Sequence, residues 1–223
     1  KHLNDILNKY FELSKNNNKN KKTIELEFKI TNGNIISDIL LNSSKLKLKE
    51  SEKSKTYETI YDQNTASIRV LDDKSISKKV PIIMQSFNEF RLTLNTEENI
   101  DELPKNTSYK IMRYKDRISY ISKAYPAWRF DITSTIIGIN KKEINKKIEL
   151  KGNDIEVEIE YIGDGKDLES DVKSMIGLIE SIHPIAIIRK TLDKHSLLTT
   201  SQLGNFPKTL TINNINAIRE NHS

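Results

Sequence analysis

Ile24-Glu25-Leu26-Glu27-Phe28-Lys29-Ile30 alternates without a break, and no other segment limits the possible folds so sharply. As a β-strand it sets Glu25, Glu27 and Lys29 on one face and Ile24, Leu26, Phe28 and Ile30 on the other. Ile155-Glu156-Val157-Glu158-Ile159-Glu160-Tyr161 repeats the pattern near the other end of the chain with three acids. Glutamate is a poor strand former, so acids at every second position of two strands need a reason. If the two rows face each other in a shielded interior, each close pair repels by about 3 kcal/mol at about 5 Å and an effective dielectric near 20. Protonation or a bound cation relieves that repulsion. If the rows face water, the cost falls below about 1 kcal/mol.

The segments between favour an inward orientation. Arg69 stands against Ile68 and Val70, and Glu89, Arg91 and Thr93 alternate with Phe90, Leu92 and Leu94. Arg113, Lys115, Arg117 and Ser119 share one face of a further strand, and Arg129, Asp131 and Thr133 oppose Trp128, Phe130 and Ile132. Every strong strand pattern thus has one charged and one apolar face, with acidic rows at the two ends and basic rows between. A closed antiparallel barrel brings the ends together and aims all charged faces at one lumen, with the apolar faces outside under helices. Glu oxygens can hold a hard divalent cation there, and Arg and Lys around it suit a polyphosphate.

Composition narrows the classes. The 223 residues suffice for one sizeable domain, and a formal charge of +5 favours an anionic ligand without choosing among RNA, nucleotide and membrane surface. Zero cysteines exclude disulfides, thiolate zinc sites and cysteinyl-phosphate chemistry, in keeping with an intracellular protein. No apolar run approaches the roughly 18 residues of a membrane span, no signal peptide is visible, and no G-x-x-x-x-G-K-[ST] loop occurs. His2, His183, His195 and His222 lack metal-ligand spacing and read as bystanders. The start at Lys1 suggests an excised fragment, and the wealth of Asn, Lys and Ile suggests an AT-rich genome.

Along the chain, Leu3, Ile6, Leu7 and Tyr10 predict a helix over 2–14, followed by a polar loop to Lys22. Gly33-Asn34 is a turn signal leading into one or two helical turns. Lys45–Lys55 reads as a strand leading to a loop, with strands then expected near 56–61, 66–71, 75–80, 87–95, 109–122 and 127–137. Glu143–Leu150 and Ile155–Tyr161 read as a β-hairpin around Lys151-Gly152-Asn153-Asp154. Leu168, Val172, Met175, Ile176, Ile179 and Ile182 form a helical stripe that His183-Pro184 should stop. Trp128 and the tyrosines fit packing on the outer face.

Glu25-Leu26-Glu27-Phe28-Lys29, Arg113-Tyr114-Lys115-Asp116-Arg117-Ile118-Ser119-Tyr120, Arg129-Phe130-Asp131-Ile132-Thr133 and Glu156-Val157-Glu158-Ile159-Glu160, in this order, resemble the triphosphate tunnel metalloenzymes. Within them the likeness is to the metal-dependent RNA triphosphatases of fungal and large-DNA-virus capping systems, mimivirus-like ones above all. The pairing of K-D-R-[IV]-S-Y with R-x-D-[IL]-T is its most specific part, and it covers about residues 23–161.

The resemblance implies an α+β fold: an eight-stranded antiparallel β-barrel with a charged lumen and helices packed outside. It implies removal of the γ-phosphate from 5′-triphosphate RNA, the first step of cap formation, with Mg²⁺ or Mn²⁺. It makes Glu25, Glu27 and Glu160 metal ligands, with Glu158 a ligand or directly behind one. Lys29, Arg69, Lys78 or Lys79, Arg91, Arg113, Lys115, Arg117 and Arg129 become phosphate-neutralising groups, and Asp131 orients one of these bases unless its pairing with Arg129 is purely structural. Glu89, Glu97 or Glu156 would orient the attacking water. Residues 1–194 would form the tunnel domain and 195–223 a linker or the start of a guanylyltransferase. Asn205-Phe206-Pro207-Lys208-Thr209-Leu210 would mark that start, and no K-x-D-G nucleophile motif is present. The implied setting is a host-cell cytoplasm (viral factory) or virion, with no membrane partner. The alternatives are a tunnel hydrolase of inorganic or small organic triphosphates, an RNA-binding barrel with an exposed acidic face, and a purely structural barrel.

Overall fold

The computed structural model describes residues 2–16, 22–150 and 154–202. Residues 17–21 of the expected polar loop, Lys151-Gly152-Asn153 of the expected turn, and the tail with Asn205–Leu210 and His222 lie outside the described residues. The chain divides into two compact units, Lys1–Ala186 and Ile187–Ser223.

In chain order the elements are α1 (His2–Asn16), β1 (Lys22–Ile30), α2 (Gly33–Leu41), β2 (Lys49–Gln63), β3 (Ala66–Leu71), β4 (Ile76–Ser86), β5 (Phe90–Asn99), β6 (Ser108–Ile121), β7 (Trp128–Gly138), α3 (Lys141–Glu149), β8 (Asp154–Tyr161) and α4 (Leu168–Gln202). The strands close into a barrel in the order β1-β5-β4-β3-β2-β6-β7-β8. All pairings are antiparallel. Two meanders, β2 to β5 and β6 to β8, meet along the β2–β6 pair on one side, and β1 closes the gap between β5 and β8 on the other. The two acidic strands are thereby neighbours. Closure removes the open edge that either meander alone would expose.

Because side chains alternate along a strand, the lumen takes the charges and the outside takes the apolar residues. Leu26 and Phe28 of β1, Leu92 and Leu94 of β5, Phe130 of β7 and Val157 and Ile159 of β8 are fully buried on that outer face. Ile6 and Leu7 of α1, Ile36 and Leu40 of α2, and Leu168, Val172, Met175, Ile179 and Ile182 of α4 cover them in a single cluster. Each such large side chain contributes about 1.5–3 kcal/mol on burial. Phe28 anchors an aromatic group, with its ring 5.2 Å from Phe90 and 5.3 Å from Trp128. Gly33 starts α2 against β8, where an added Cβ would collide with the Ile155 carbonyl oxygen, and Asn34 Oδ1 accepts the Ile155 N–H at 3.1 Å. Glycine there allows close approach of helix to strand, in addition to its expected turn signal.

Three expectations are corrected. Glu143–Leu150 is not a strand: Lys141–Glu149 is helical. Asn140 Oδ1 accepts the Glu143 N–H at 2.9 Å, and the Glu143 carboxylate accepts the Ile139 N–H at 2.9 Å, a reciprocal cap that fixes the helix start. Lys45–Lys55 does not run from strand into loop; Lys49–Gln63 is one continuous strand. Its first half pairs with β6 alone, so it is largely exposed, and polar residues there carry no apolar alternation to betray it. The helix at Leu168 does not stop at His183-Pro184, since α4 runs to Gln202 with Pro184 inside it. Proline removes one backbone donor and crowds the carbonyl four residues back, which weakens a helix without having to end it. The expected boundary at 194/195 therefore falls within α4. Among the described residues no helix is long and apolar enough to cross a membrane.

A charged tunnel as the candidate active site

Strand register assembles the lumen. Glu27 on β1 stands opposite Glu160 on β8 and Thr93 on β5, while Lys29 stands opposite Glu158 and Arg91. Glu25 stands opposite Asn95, and Lys79 on β4 stands opposite Glu97. These residues, with Arg69, Arg113, Lys115, Arg117 and Arg129, line a cavity of about 610 Å³. Its wall holds eight cationic side chains and five carboxylates, and Glu58, Asp131 and Glu156 pair with the same cations from outside the lining. Every expected metal or phosphate residue lines it except Lys78, the alternative to Lys79, which lies outside. Of the three candidates for orienting water, Glu97 lines the cavity, Glu89 and Glu156 do not, and Glu156 pairs with Lys29 at 3.0 Å.

The acidic side is short of positive charge. Lys79 Nζ lies 2.7 Å from Glu25 Oε2, in an ion-pair contact without hydrogen-bond alignment, and 3.2 Å from Glu27 Oε1. Glu27 Oε1 also accepts from Thr93 Oγ1 at 3.2 Å and Asn95 Nδ2 at 3.3 Å. Burial, with help from neighbouring Glu97, pushes Glu25 up to about 7 against the pull of Lys79. Glu97 moves down despite its burial, under the combined influence of Glu25, Ser77, Arg69 and Lys79. Burial also raises Glu160, with Asp131 and Glu27 adding to the effect and Arg129 opposing it. Glu158 is held far below the usual range, its burial outweighed by Lys115, Arg117 and Lys29.

The basic side has unspent donors. Arg69 Nε is buried without a hydrogen-bond partner, and among the described residues Arg91 makes no ion pair. Burial, with Arg113 alongside, lowers Lys115 to about 8. Arg113 and Lys115 both contact Glu58, a buried acid absent from the expected set. Asp131 does not line the cavity but lies behind its wall at 1% exposure. Arg129 grips both its oxygens, at 2.9 and 2.8 Å, and Arg117 Nη1 lies 3.3 Å away. The same two arginines reach forward to Glu160 and Glu158. Asn95 and Glu58 are the polar groups that sequence reasoning missed. The β5 alternation, carried two residues past Thr93, reaches Asn95; Glu58 sits in the cryptic strand β2.

Hard oxygen donors from two adjacent strands, two of them with raised carboxyl values, fit a divalent cation. Among the described residues no three acidic or imidazole side chains are gathered to hold one as they stand. Lys79 lies between Glu25 and Glu27, and Arg129 grips Glu160.

The raised Glu25 value has a thermodynamic consequence. Folded protein holds an extra proton between the ordinary value of 4.5 and about 7, so stability falls as pH rises through that window and stays lower above it. Glu25→Gln removes this penalty, at most about 3 kcal/mol. In EDTA its Tm is expected to exceed wild type by several degrees at pH 8 and to match it near pH 4. Equal melting at both pH values would show that Glu25 is not strained.

A closed antiparallel barrel that carries its charges inside and its apolar residues outside defines the triphosphate-tunnel fold, and this chain has it. No family model matches the sequence, and no curated protein matches it either. Among solved structures it is similar to the RNA triphosphatase domain of the mimivirus mRNA capping enzyme, at 18% identity over 78% of this chain and 98% of that one, with a TM-score of 0.52. It also matches the S. pombe RNA triphosphatase Pct1 at 15% identity over 78% of this chain and 84% of that one, with a TM-score of 0.44. A Hippeastrum protein, a putative adenylyl cyclase described as having dominant triphosphatase activity, matches at 12% identity over 73% and 87%, with a TM-score of 0.42.

Proposed function

We propose that this chain is a metal-dependent 5′-triphosphatase that removes the γ-phosphate from triphosphate-ended RNA. The observation that carries this reading is the lumen itself. One closed wall sets the buried carboxylates Glu25 and Glu160, both with raised values, beside Arg69 and Arg91, which make no ion pair among the described residues. Cations left without ion pairs in a closed lumen suit an anionic, narrow substrate.

Mg²⁺ or Mn²⁺ held by Glu25, Glu27 and Glu160, with Glu158 beside them, would supply Lewis-acid polarisation of the phosphoryl oxygens. Arg69, Arg91 and Lys115 neutralise the phosphates, and Asp131 holds Arg117 and Arg129 at their stations. Glu97, which lines the tunnel where Glu89 and Glu156 do not, orients the attacking water. Water adds to the γ-phosphorus, the bond to the β–γ bridging oxygen breaks, and the products are 5′-diphosphate RNA and phosphate. Positioning and charge neutralisation account for the rate, with no covalent intermediate. A 5′-diphosphate end is what guanylyl transfer consumes, so a guanylyltransferase is the proposed partner, at the intracellular or virion site of viral transcription.

The test is phosphate release from γ-labelled 5′-triphosphate RNA and from tripolyphosphate, each with Mg²⁺, Mn²⁺ or EDTA. Release that needs metal and favours RNA is expected. Preference for tripolyphosphate would make the chain a small-triphosphate hydrolase, and no release by folded protein would overturn the reading.

A further inference from the structure

A second cavity of about 420 Å³ lies at the β4–β5 turn. Lys29 and Arg91 line both cavities. The second cavity is otherwise walled by Ile30, Thr31, Ser86, Phe87 and Phe90. Phe87 stacks on Phe90 at 4.6 Å between centroids and 29° between planes, and Phe90 is itself buried in the core. The turn is braced by the Phe87 N–H donating to the Phe90 carbonyl at 2.8 Å and the Thr31 N–H to the Glu89 carbonyl at 3.0 Å. Yet Phe87 remains 40% exposed, an apolar ring part-open in a cavity that Lys29 and Arg91 also line.

We infer that Phe87 is a stacking platform for the base of the 5′-terminal nucleoside of a triphosphate-ended RNA, with Lys29 and Arg91 on the phosphates that lead to it. This inference rests on the triphosphatase reading above. Arg91 lies two strand residues, about 7 Å, before Thr93, the β5 residue opposite Glu27. A phosphate chain anchored near Glu27 and running past Lys29 and Arg91 therefore delivers its nucleoside to this cavity. Aromatic stacking accepts any base, which suits an enzyme acting on transcripts of every sequence. Ser86 offers a hydroxyl nearby, while the Thr31 hydroxyl is committed to the Glu89 carbonyl at 2.9 Å.

The experiment is equilibrium binding of a fluorescent 5′-triphosphate decaribonucleotide, in EDTA and in Ca²⁺, to wild type, Phe87→Ala and Phe87→Trp, with tripolyphosphate as competitor. Phe87→Ala should weaken RNA binding about 5- to 100-fold, as expected for one lost base–aromatic contact, while Phe87→Trp retains it. The tripolyphosphate inhibition constant should move less than twofold, since that ligand has no base. Unchanged RNA binding by Phe87→Ala overturns the inference, and so does equal weakening for RNA and tripolyphosphate. Loss in Phe87→Trp as great as in Phe87→Ala would also overturn it. Because binding is read without turnover, failure of the phosphate-release assay would strike the triphosphatase reading and leave this result to stand or fall separately.

Discussion

Glu27→Ala is expected to lower metal-dependent γ-phosphate release at least about a hundredfold, close to 3 kcal/mol of transition-state stabilisation. Glu27 occupies the crossing point of the tunnel's acidic side: its strand neighbours across the sheet are Glu160 and Thr93. Its Oε1 gathers Lys79, Thr93 and Asn95 within 3.3 Å. Those donors fix the carboxylate before any ligand arrives, so its worth lies in preorganisation. Its removal also hands Lys79 wholly to Glu25, which draws a cation deeper into competition with the metal. The Mn²⁺ affinity measured by calorimetry should therefore fall alongside the rate. Melting should change little, because the side chain faces the lumen and supports no core contact. A loss below tenfold in both Glu27→Ala and Glu25→Ala would remove the metal assignment from β1.

How far the chain could be read in advance depended on which faces water touches. β1, β5, β7 and β8 lie under helices, so their outer faces had to be apolar and their alternation is plain: Leu26 and Phe28, Leu92 and Leu94, Phe130, Val157 and Ile159 all show it. The inward residues followed at once, because period two fixes one face when the other is known. β2 meets water along much of its length, so Lys49 to Lys55 shows neither apolar period nor core anchor, and Glu58 stayed hidden with it. α3 hid for another reason. With only Ile144 fully buried, its apolar stripe is too thin to outweigh the β-branched residues, and its marker was the cap of Asn140 and Glu143. Lumenal roles such as that of Glu97 required the pairings across β4 and β5, which depend on closure and register. No local pattern distinguishes Glu97 from Glu89; the barrel does, by turning one inward and leaving the other at a hairpin.

Asp131→Asn is expected to destabilise the fold by about 3 kcal/mol and lower Tm by about 6–12 °C. The carboxylate is 1% exposed, and Arg129 and Arg117 both contact it, so neutralising it strips a partner from two guanidinium groups at once. The estimate stays at the low end for a broken buried pair because each arginine keeps a second acid, Glu158 or Glu160. The surface pair Lys110–Asp62, at 3.3 Å and well exposed, provides the contrast: Lys110→Ala should cost under about 1 kcal/mol. Function should suffer separately from stability. With Asp131 neutral, Arg117 and Arg129 are free to lean further onto Glu158 and Glu160, spending positive charge on the acids instead of the phosphates. At a temperature where the variant is fully folded, kcat should therefore fall while KM moves little. A cost under about 1 kcal/mol with unchanged kcat would mean that the two arginines hold their positions without Asp131, and that the tunnel's basic wall is set by strand register alone.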